Sequence, residues 1–249
     1  MQPTERFSNR VDNYRRYRPS YPPEVIDFIR TIAELAPGAP VADVGSGTGI
    51  LSRLMLEAGW DVYAIEPNAA MRAAAEDELA TFATFHSVAA PAEATSLPAA
   101  SMDAVACAQS FHWFDRDAAK AEFHRILRTD GWVFVIWNQR TRETPFDRGY
   151  YDIIASLGHA YDGVRNRDDE NDLPTFFRPR TYLEADYPNP SPLDWEALRG
   201  RFLSSSYVPA EGDPRQPELL ARLERLFHEH ERDGQIVLGQ RAHVYAGHV

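Results

Sequence analysis

The chain has 249 residues, of which 44% are hydrophobic and 25% are charged, and these values are ordinary for a folded globular protein. The formal net charge of −11 argues against nonspecific nucleic-acid binding, which needs a basic surface. The single cysteine, Cys107, excludes an intramolecular disulfide, and no apolar run approaches the roughly 20 residues of a membrane span, so a cytoplasmic protein is expected.

The first 20 residues are polar, aromatic and arginine-rich, with five arginines between residues 1 and 18. Two interpretations stay open for them: a solvated amphipathic helix, or a lid that becomes ordered over a bound ligand. From Pro22 to about Ala36, apolar side chains recur at helical spacing, which predicts a helix stopped by Pro37 and Gly38. Residues 1–36 are therefore assigned to a lid and a first helix.

Three glycines at alternate positions follow an apolar strand and precede a helical segment, in the run Val41-Ala42-Asp43-Val44-Gly45-Ser46-Gly47-Thr48-Gly49. Glycine lets the backbone approach a ligand closely, and the free N–H groups of the next helix point at the same place. The dinucleotide fingerprint needs its third glycine at Ile50, and the Gly-Lys-Ser/Thr ending of a P-loop is absent. The run predicts a nucleotide site without a phosphate cradle; a simple tight turn is the alternative.

An acidic residue ends the second predicted strand. Glu66 follows Asp61–Ile65 and lies about 20 residues past the glycines, which is where an acid binds ribose hydroxyls. A solvated loop carboxylate is the alternative. Together, the glycine loop and this acid favour an adenosine ligand without phosphates.

Strands and helices alternate to about residue 138, with a short third strand at residues 84–88, and this alternation indicates a parallel sheet. Clean strands are few after residue 139. A polar run at residues 168–172 predicts a loop, and Pro188-Asn189-Pro190-Ser191-Pro192 is a chain-breaking cluster. Residues 235–247 predict a final strand. A late helix is predicted from the apolar face formed by Leu219, Leu220, Leu223, Leu226 and Phe227.

Four segments in the correct order resemble motifs of the class I S-adenosylmethionine (SAM) dependent methyltransferases. Residues 41–49 resemble the first motif, residues 65–71 the acidic loop, and residues 126–135 the turn and fifth strand. Residues 104–115 contain Ala108-Gln109-Ser110-Phe111-His112-Trp113-Phe114 and are similar to the fourth-strand motif of one branch. That branch includes trans-aconitate-type and other small-molecule methyltransferases, and residues 14–22 fit it as well.

The resemblance implies a doubly wound α/β fold, with a seven-stranded, mostly parallel, Rossmann-like sheet and a helical cap or lid. It implies one domain over residues 1–249, with a SAM-binding core at 37–138 and cap insertions and final strands at 139–249. Relatives bind adenine through a polar side chain where this chain has Pro91, so Ala92 and Glu93 are the substitutes. The implied cofactor residues are Tyr17, Arg18, Asp43, Gly45, Ser46, Gly47, Thr48, Glu66, Pro67, Met71, Ala92, Glu93, Gln109 and Ser110.

The acceptor side is implied less directly. Trp113 lies in the fourth-strand motif, while Trp137, Asn138 and Arg140 are expected after the fifth strand, bordering the substrate. A carboxylate acceptor needs no base, whereas a hydroxyl or amine must lose a proton. The candidate bases are His112, Tyr14 and Tyr17. A structural role is the alternative for His112. Helix packing is the alternative for Met71 and for the aromatic residues near His112.

Other chemistries have little support. The chain has neither a Gly-x-Ser-x-Gly elbow nor a His-Glu-x-x-His motif, so no metal site is expected. Three functions stay open: a small-molecule O- or N-methyltransferase, a SAM-cyclising enzyme that releases methylthioadenosine, and a noncatalytic or protein-modifying module. The aromatic residues around the motifs favour a closed pocket and a small-molecule acceptor, with no nucleic-acid or membrane partner. The acceptor's identity and the oligomeric state are left open.

Overall fold

The computed structural model describes residues 17–158, 173–205, 207–209 and 212–249. Tyr14 and the polar run 168–172 lie outside this described part. The strands are β1 (Pro40–Val44), β2 (Asp61–Ile65), β3 (Phe85–Val88), β4 (Met102–Ala108), β5 (Leu127–Arg140), β6 (Tyr182–Pro188), β7 (Ser191–Leu193), β8 (Ile236–Leu238) and β9 (Gln240–Gly247). The helices are α1 (Pro23–Ile32), α2 (Ile50–Glu57), α3 (Ala69–Leu79), α4 (Arg116–Ile126), α5 (Pro145–Ala155), α6 (Leu173–Phe176), α7 (Trp195–Leu203) and α8 (Gln216–His230).

The main sheet has seven strands in the order β3-β2-β1-β4-β5-β9-β6. Strands β1 to β5 pair in parallel, and β9 is antiparallel to both of its neighbours, β5 and β6. The chain winds outward from β1 to β3 and then returns to β4 on the other side of β1. The predicted doubly wound, mostly parallel α/β fold is confirmed, and its switch point lies between β1 and β4.

Both faces of the sheet are covered by apolar clusters. Val105, Val133 and Val135 pack with Phe123 of α4 on one face. Ala104, Phe134 and Ile136 pack with residues of α1 and α2 on the other. Because successive strand residues face opposite sides, β5 contributes alternately to the two clusters. A third cluster joins α5, α7 and α8 and gives the cap its own apolar core, built on Tyr150, Phe202, Leu223 and Phe227.

The first and last predicted elements differ from the structure in their boundaries. Helix α1 ends at Ile32, not near Ala36, because Glu34 adopts a left-handed backbone with φ 50°. The predicted final strand is two strands broken at Gly239. The N–H of Gly239 donates to Asp147 Oδ1 at 2.9 Å and not to a neighbouring strand, which interrupts the ladder. Only glycine fits there, because a Cβ would lie 2.2 Å from Thr141 Oγ1.

Strand β6 was not predicted from the sequence. It is an edge strand on which most side chains are exposed or half-buried, so it lacks the apolar alternation of an internal strand. Only Asn189 and Pro190 of the predicted chain-breaking cluster separate β6 from β7, because Pro188 ends β6, and Ser191 and Pro192 lie in β7. Pro188 is tolerated because it ends an edge strand. The late helix is confirmed as α8, with Leu219, Leu223 and Phe227 buried. In the described residues, no helix combines the length and apolar character needed to cross a membrane.

Candidate functional site

The glycine loop joins β1 to α2 at the switch point. Gly45, Gly47 and Gly49 all have positive φ, at 71°, 57° and 82°. A Cβ on Gly45 would lie 2.4 Å from Ser110 Cβ, and one on Gly49 would lie 2.7 Å from Leu79 Cδ1. At Gly47 a Cβ would meet only Met71 Sδ, at 4.0 Å. The outer two glycines are therefore required by packing, while Gly47 keeps its backbone accessible.

Glu66 braces this loop from the end of β2. Its Oε2 accepts the N–H of Gly47 at 2.9 Å, and its Oε1 accepts the N–H of Asn68 at 2.8 Å. Glu66 is only 9% exposed, and this burial raises its pKa, while the hydrogen bonds from Asn68 and Gly47 oppose the rise. The interpretation as a solvated loop acid is wrong. Each carboxylate oxygen keeps a second lone pair that can accept a further hydrogen bond.

The loop after β2 leads directly into α3. Asn68 caps this helix, since its Oδ1 accepts the N–H groups of Ala70 and Met71, each at 3.0 Å. Pro67 is exposed, and its carbonyl oxygen accepts Arg72 Nη1 at 3.4 Å. Met71 is buried in the first turn of α3, with its sulfur facing Gly47. Asn68 was missed as a site residue, although an Asn before a helical segment is a readable capping signal.

Two buried polar side chains lie in and beneath the glycine loop. Asp43 is 1% exposed, and its Oδ2 accepts Ser52 Oγ at 2.6 Å. Its Oδ1 and the Oγ1 of Thr48 have no hydrogen-bond partner among the described residues. Burial raises the pKa of Asp43 to about 7, and the charge of Glu66 adds to the rise. Buried polar atoms left without partners are rare in folded proteins and mark a place where a further group can bind.

Gln109 and Ser110 tie the end of β4 to its neighbours. Ser110 Oγ donates to the carbonyl oxygen of Val44 at 2.7 Å. Gln109 has φ 56° and donates from Nε2 to the carbonyl oxygen of Asn138 at 3.3 Å. Hydrogen bonds thus run along the carboxyl edge of the sheet from Glu66 to the glycine loop and from β1 to β5.

The segment after β4 is a short 3₁₀ helix, Phe111–Trp113, and the guanidinium carbon of Arg116 at the start of α4 lies 5.7 Å from the ring centroid of Phe111. Phe111 is buried, with its ring centroid 4.7 Å from that of Phe176. His112 and Trp113 are half-buried, with ring centroids 4.9 Å apart. Asp115 caps α4 as predicted by accepting the N–H of Ala118 at 3.1 Å.

Ala92 and Glu93 follow β3 and lie close to this segment. Glu93 Oε1 accepts the N–H of Asp115 at 2.8 Å, and Ala92 is buried in the apolar cluster on the α4 face. One carboxylate oxygen of Glu93 is therefore engaged with the backbone, and the second is left for another donor.

Trp137, Asn138 and Arg140 lie within β5, so the prediction that they follow this strand is wrong. The strand continues to Arg140 because β9 pairs with it over its whole carboxyl end. Trp137 is 2% exposed and packs on Phe111 and Tyr245. Alternation places Asn138 and Arg140 on the opposite face from Trp137, so the three side chains do not form one surface.

Tyr17 and Arg18 dock on α7 of the cap. The ring of Tyr17 packs so closely on Gly200 that a Cβ there would lie 2.2 Å from it. The carbonyl oxygen of Tyr17 accepts Arg201 Nε at 3.1 Å, and Arg18 Nη2 donates to the carbonyl oxygen of Ser204 at 3.5 Å. The start of the described chain is thus held by the cap, and Tyr14 lies outside the described residues.

The described residues contain no group of His, Cys, Asp and Glu side chains arranged to hold a metal ion. Two functional candidates were missed by sequence reasoning, Tyr150 on α5 and Arg201 on α7. Both are buried, and they are brought together only by packing of the cap, so no motif or spacing could have indicated them.

Residues 42–135 match the family described as methyltransferase domain. An uncharacterized methyltransferase of Mycobacterium tuberculosis is 38% identical over 165 residues, which are 65% of this chain and 62% of that relative. An uncharacterized methyltransferase of Schizosaccharomyces pombe is 27% identical over 141 residues, which are 56% of this chain and 55% of the relative. The chain thus spans less than two thirds of the length of these relatives.

Solved structures share the fold over nearly the whole chain. A type II methyltransferase from Anaeromyxobacter dehalogenans gives a TM-score of 0.64 at 24% identity, over 93% of this chain and 98% of that one. Haemonchus contortus phosphoethanolamine N-methyltransferase 2, in complex with S-adenosylhomocysteine, gives a TM-score of 0.59 at 14% identity, over 96% of this chain and 56% of that one. An uncharacterized methyltransferase of Geobacillus sp. (strain WCH70) is 30% identical over 146 residues, which are 54% of this chain and 67% of that relative. With the matched segment, this shows that the chain belongs to the methyltransferase family, and its fold is the one that these solved structures share.

Proposed function

We propose that the whole protein transfers a methyl group from SAM to a small-molecule acceptor. The observation that carries the proposal is the buried carboxylate of Glu66, which holds the N–H of Gly47 at the switch point of the sheet. An acid at the end of β2 beside a glycine loop is suited to ribose hydroxyls, and the matched methyltransferase domain includes both.

The residues present fit SAM. Glu66 would accept hydrogen bonds from the ribose hydroxyls, and the backbone at Gly47 would contact the nucleoside because no Cβ shields it. Met71, Ala92 and Glu93 would border the adenine, with Pro67 at the rim of the site. The Thr48 hydroxyl and the Asp43 carboxyl, each with a buried oxygen without a described partner, would serve the amino acid portion directly or through the loop.

The carboxyl end of β4 would complete the cofactor site. Gln109, Ser110 and the loop at Ser46 would lie beside the methionine portion, and Tyr17 and Arg18 would close the site from the cap side. When bound, SAM supplies a methyl group made electrophilic by its sulfonium. The chain's own contribution is to orient the acceptor in line with that group and to exclude water.

The acceptor would lie between the end of β4 and the cap. The aromatic side chains of His112 and Trp113 support a closed pocket and a small acceptor, such as a carboxylic acid, phenol or amine, whereas the buried Trp137 would act only through its packing on Phe111. A hydroxyl or amine would transfer its proton to His112, Tyr14 or Tyr17, and a carboxylate would need no base. Asn138 and Arg140 would contact the acceptor from β5.

The test is label transfer. The purified full chain is incubated with SAM carrying a trideuterated methyl group and with a pool of small carboxylic acids, phenols and amines. The expected result is a deuterium-labelled product whose formation needs the protein. No labelled product in any pool, despite binding of S-adenosylhomocysteine, would contradict a small-molecule acceptor of these classes.

A further inference from the structure

Three arginines converge on one buried tyrosine between β5 and the cap. The guanidinium carbon of Arg140 lies 5.5 Å from the ring centroid of Tyr150 and 6.0 Å from that of Tyr207. Arg18 and Arg201 lie near enough to Tyr150 for their charges to act on its hydroxyl. We call Arg18, Arg140, Arg201 and Tyr150 the arginine cluster.

Arg201 is the most deeply buried arginine of the cluster, at 4% exposure. Its guanidinium donates to the carbonyl oxygen of Tyr17 at 3.1 Å, to Gln240 Oε1 at 3.3 Å and to Ser191 Oγ at 3.3 Å. All three acceptors are neutral, although a guanidinium has five N–H donors. Burial, together with the charges of Arg140 and Arg18 and against an opposing effect of Tyr150, lowers the pKa of Arg201 to about 10, so Arg201 stays protonated at neutral pH.

Among the described residues, the hydrogen-bond acceptors of Arg201 include no carboxylate, and burying a charge without a counter-charge is costly. The position of Arg201 in the last turn of α7 offsets part of this cost, because the carboxyl end of a helix carries partial negative charge. The nearby charges that act on Arg201 in the described residues include two further cations, Arg140 and Arg18. This grouping suits a site that is completed by an anion.

Tyr150 supplies an independent observation. It is 1% exposed, and its hydroxyl has no hydrogen-bond partner among the described residues. Burial raises its pKa to about 12, against the effect of the arginines, so the hydroxyl keeps its proton and remains a donor. A buried phenol donor beside three guanidinium groups matches the needs of a carboxylate or phosphate oxygen.

The cluster lies apart from the loop that would hold the nucleoside. Arg140 pairs with Gln240 across β5 and β9, whereas Gly47 and Glu66 follow β1 and β2. Arg140 lies on β5, which β4 separates from β1, so two strand spacings of about 4.8 Å each lie between them, and Glu66 at the end of β2 is one spacing further away. The cluster is nevertheless at the same carboxyl edge, since Asn138 links Gln109 to the strand that carries Arg140.

We propose that the arginine cluster binds an anionic group, a carboxylate or a phosphate, of the methyl acceptor. The inference rests on the proposed function, because it assigns the substrate class of that same site. Tyr150 and Arg201 are its central donors, and Arg18 and Arg140 contribute charge and further donors from the amino-terminal segment and β5.

The experiment is titration calorimetry on the full chain saturated with S-adenosylhomocysteine, at constant ionic strength. Inorganic phosphate is one probe, tricarballylate the other, and the trimethyl ester of tricarballylate is the uncharged comparison. At least one anion is expected to bind, whereas the ester is not. The anion that binds more tightly indicates whether the acceptor's group is a phosphate or a carboxylate. Arg201→Gln and Tyr150→Phe should each lower the affinity for that anion roughly tenfold, as expected for lost hydrogen bonds to a charged group.

Matched variants guard against a loss of fold. Tyr63→Phe on β2 and Arg128→Gln at the start of β5 should leave anion affinity unchanged. Tyr150→Phe removes only a hydroxyl that has no partner in the described part of the chain, so this variant should fold with unaltered stability and carries the test if Arg201→Gln does not fold. Affinity for S-adenosylhomocysteine should be the same in Tyr150→Phe and the wild type.

Three results would overturn the inference. The first is the absence of anion binding in a protein that does bind S-adenosylhomocysteine. The second is anion binding that Tyr150→Phe and folded Arg201→Gln leave unchanged. The third is a weakened affinity for S-adenosylhomocysteine in these variants, which would assign the cluster to the cofactor's carboxylate. Failure to bind S-adenosylhomocysteine at all would instead count against the proposed function.

Discussion

At the scale of single residues, two buried carboxyls govern the candidate cofactor site in different ways. Glu66 holds the Gly47 and Asn68 backbone and faces the place where ribose is expected. Asp43 lies beneath the loop, bonded to Ser52. Glu66 should therefore control ligand affinity, while Asp43 should control how stability depends on pH.

Glu66→Gln should weaken S-adenosylhomocysteine binding by roughly tenfold or more, because an amide nitrogen cannot accept the hydrogen bonds that a carboxylate accepts. The dissociation constant is measured by calorimetry. Glu57→Gln, an exposed acid on α2, is the control and should bind normally. Equal affinity in the two variants would remove Glu66 from the ribose site.

Asp43→Asn should change the pH dependence of folding. The pKa of Asp43 is raised from 3.8 to about 7 in the folded protein, so the folded state holds this proton more tightly than the unfolded state. As the pH rises from about 4 to about 7, the free energy of unfolding of the wild type should therefore fall, relative to that of the variant, by up to about 4 kcal/mol. The free energy of unfolding is measured in urea at several pH values.

The control for that experiment is Asp117→Asn, an exposed acid on α4, whose curve should run parallel to the wild type. If the Asp43→Asn and wild-type curves are also parallel between pH 4 and pH 7, the account of Asp43 as a buried carboxyl is wrong.

At the scale of elements, the glycine loop separates packing from ligand access. Gly45→Ala should lose roughly 2–4 kcal/mol of stability, because its Cβ would overlap Ser110 and its φ is left-handed. Gly47→Ala should lose only the roughly 1–2 kcal/mol of backbone strain but should bind S-adenosylhomocysteine less tightly. Unfolding in urea and calorimetry give the two quantities.

Gly38→Ala is the matched control for Gly47→Ala, since Gly38 has φ +78° and no atom within 4 Å of its added Cβ. The two variants should be equally destabilised, and only Gly47→Ala should lose affinity. Equal affinity in both would show that Gly47 does not face the ligand.

The same elements show what a sequence can predict. Local patterns predicted β1 to β4, the glycine loop and α8, because their apolar periodicity or turn residues are sufficient on their own. The end of β5 was placed too early, since pairing with β9 extends the strand through Arg140 and no local signal encodes a partner a hundred residues away. Edge strand β6 was missed for a related reason: it owes its conformation to β9, not to its own alternation.

At the scale of the whole molecule, the fold was predictable from the sequence, and the same motifs bring the proposed cofactor-side residues to one edge of the sheet, where their roles stay predictions. The acceptor side was not predictable, because it depends on how the cap packs. Arg201 and Tyr150 are 51 residues apart in the sequence and meet only through the core shared by α5 and α7. The cytoplasmic location, the domain boundaries and the roles of His112 and Tyr14 stay predictions.

The most direct measurement is mass spectrometry of the nucleoside products formed from SAM by the full chain, with and without the acceptor pool. The account predicts S-adenosylhomocysteine that appears only when an acceptor is present, with anionic acceptors the most active. Methylthioadenosine formed without any acceptor would contradict methyl transfer and make SAM itself the substrate.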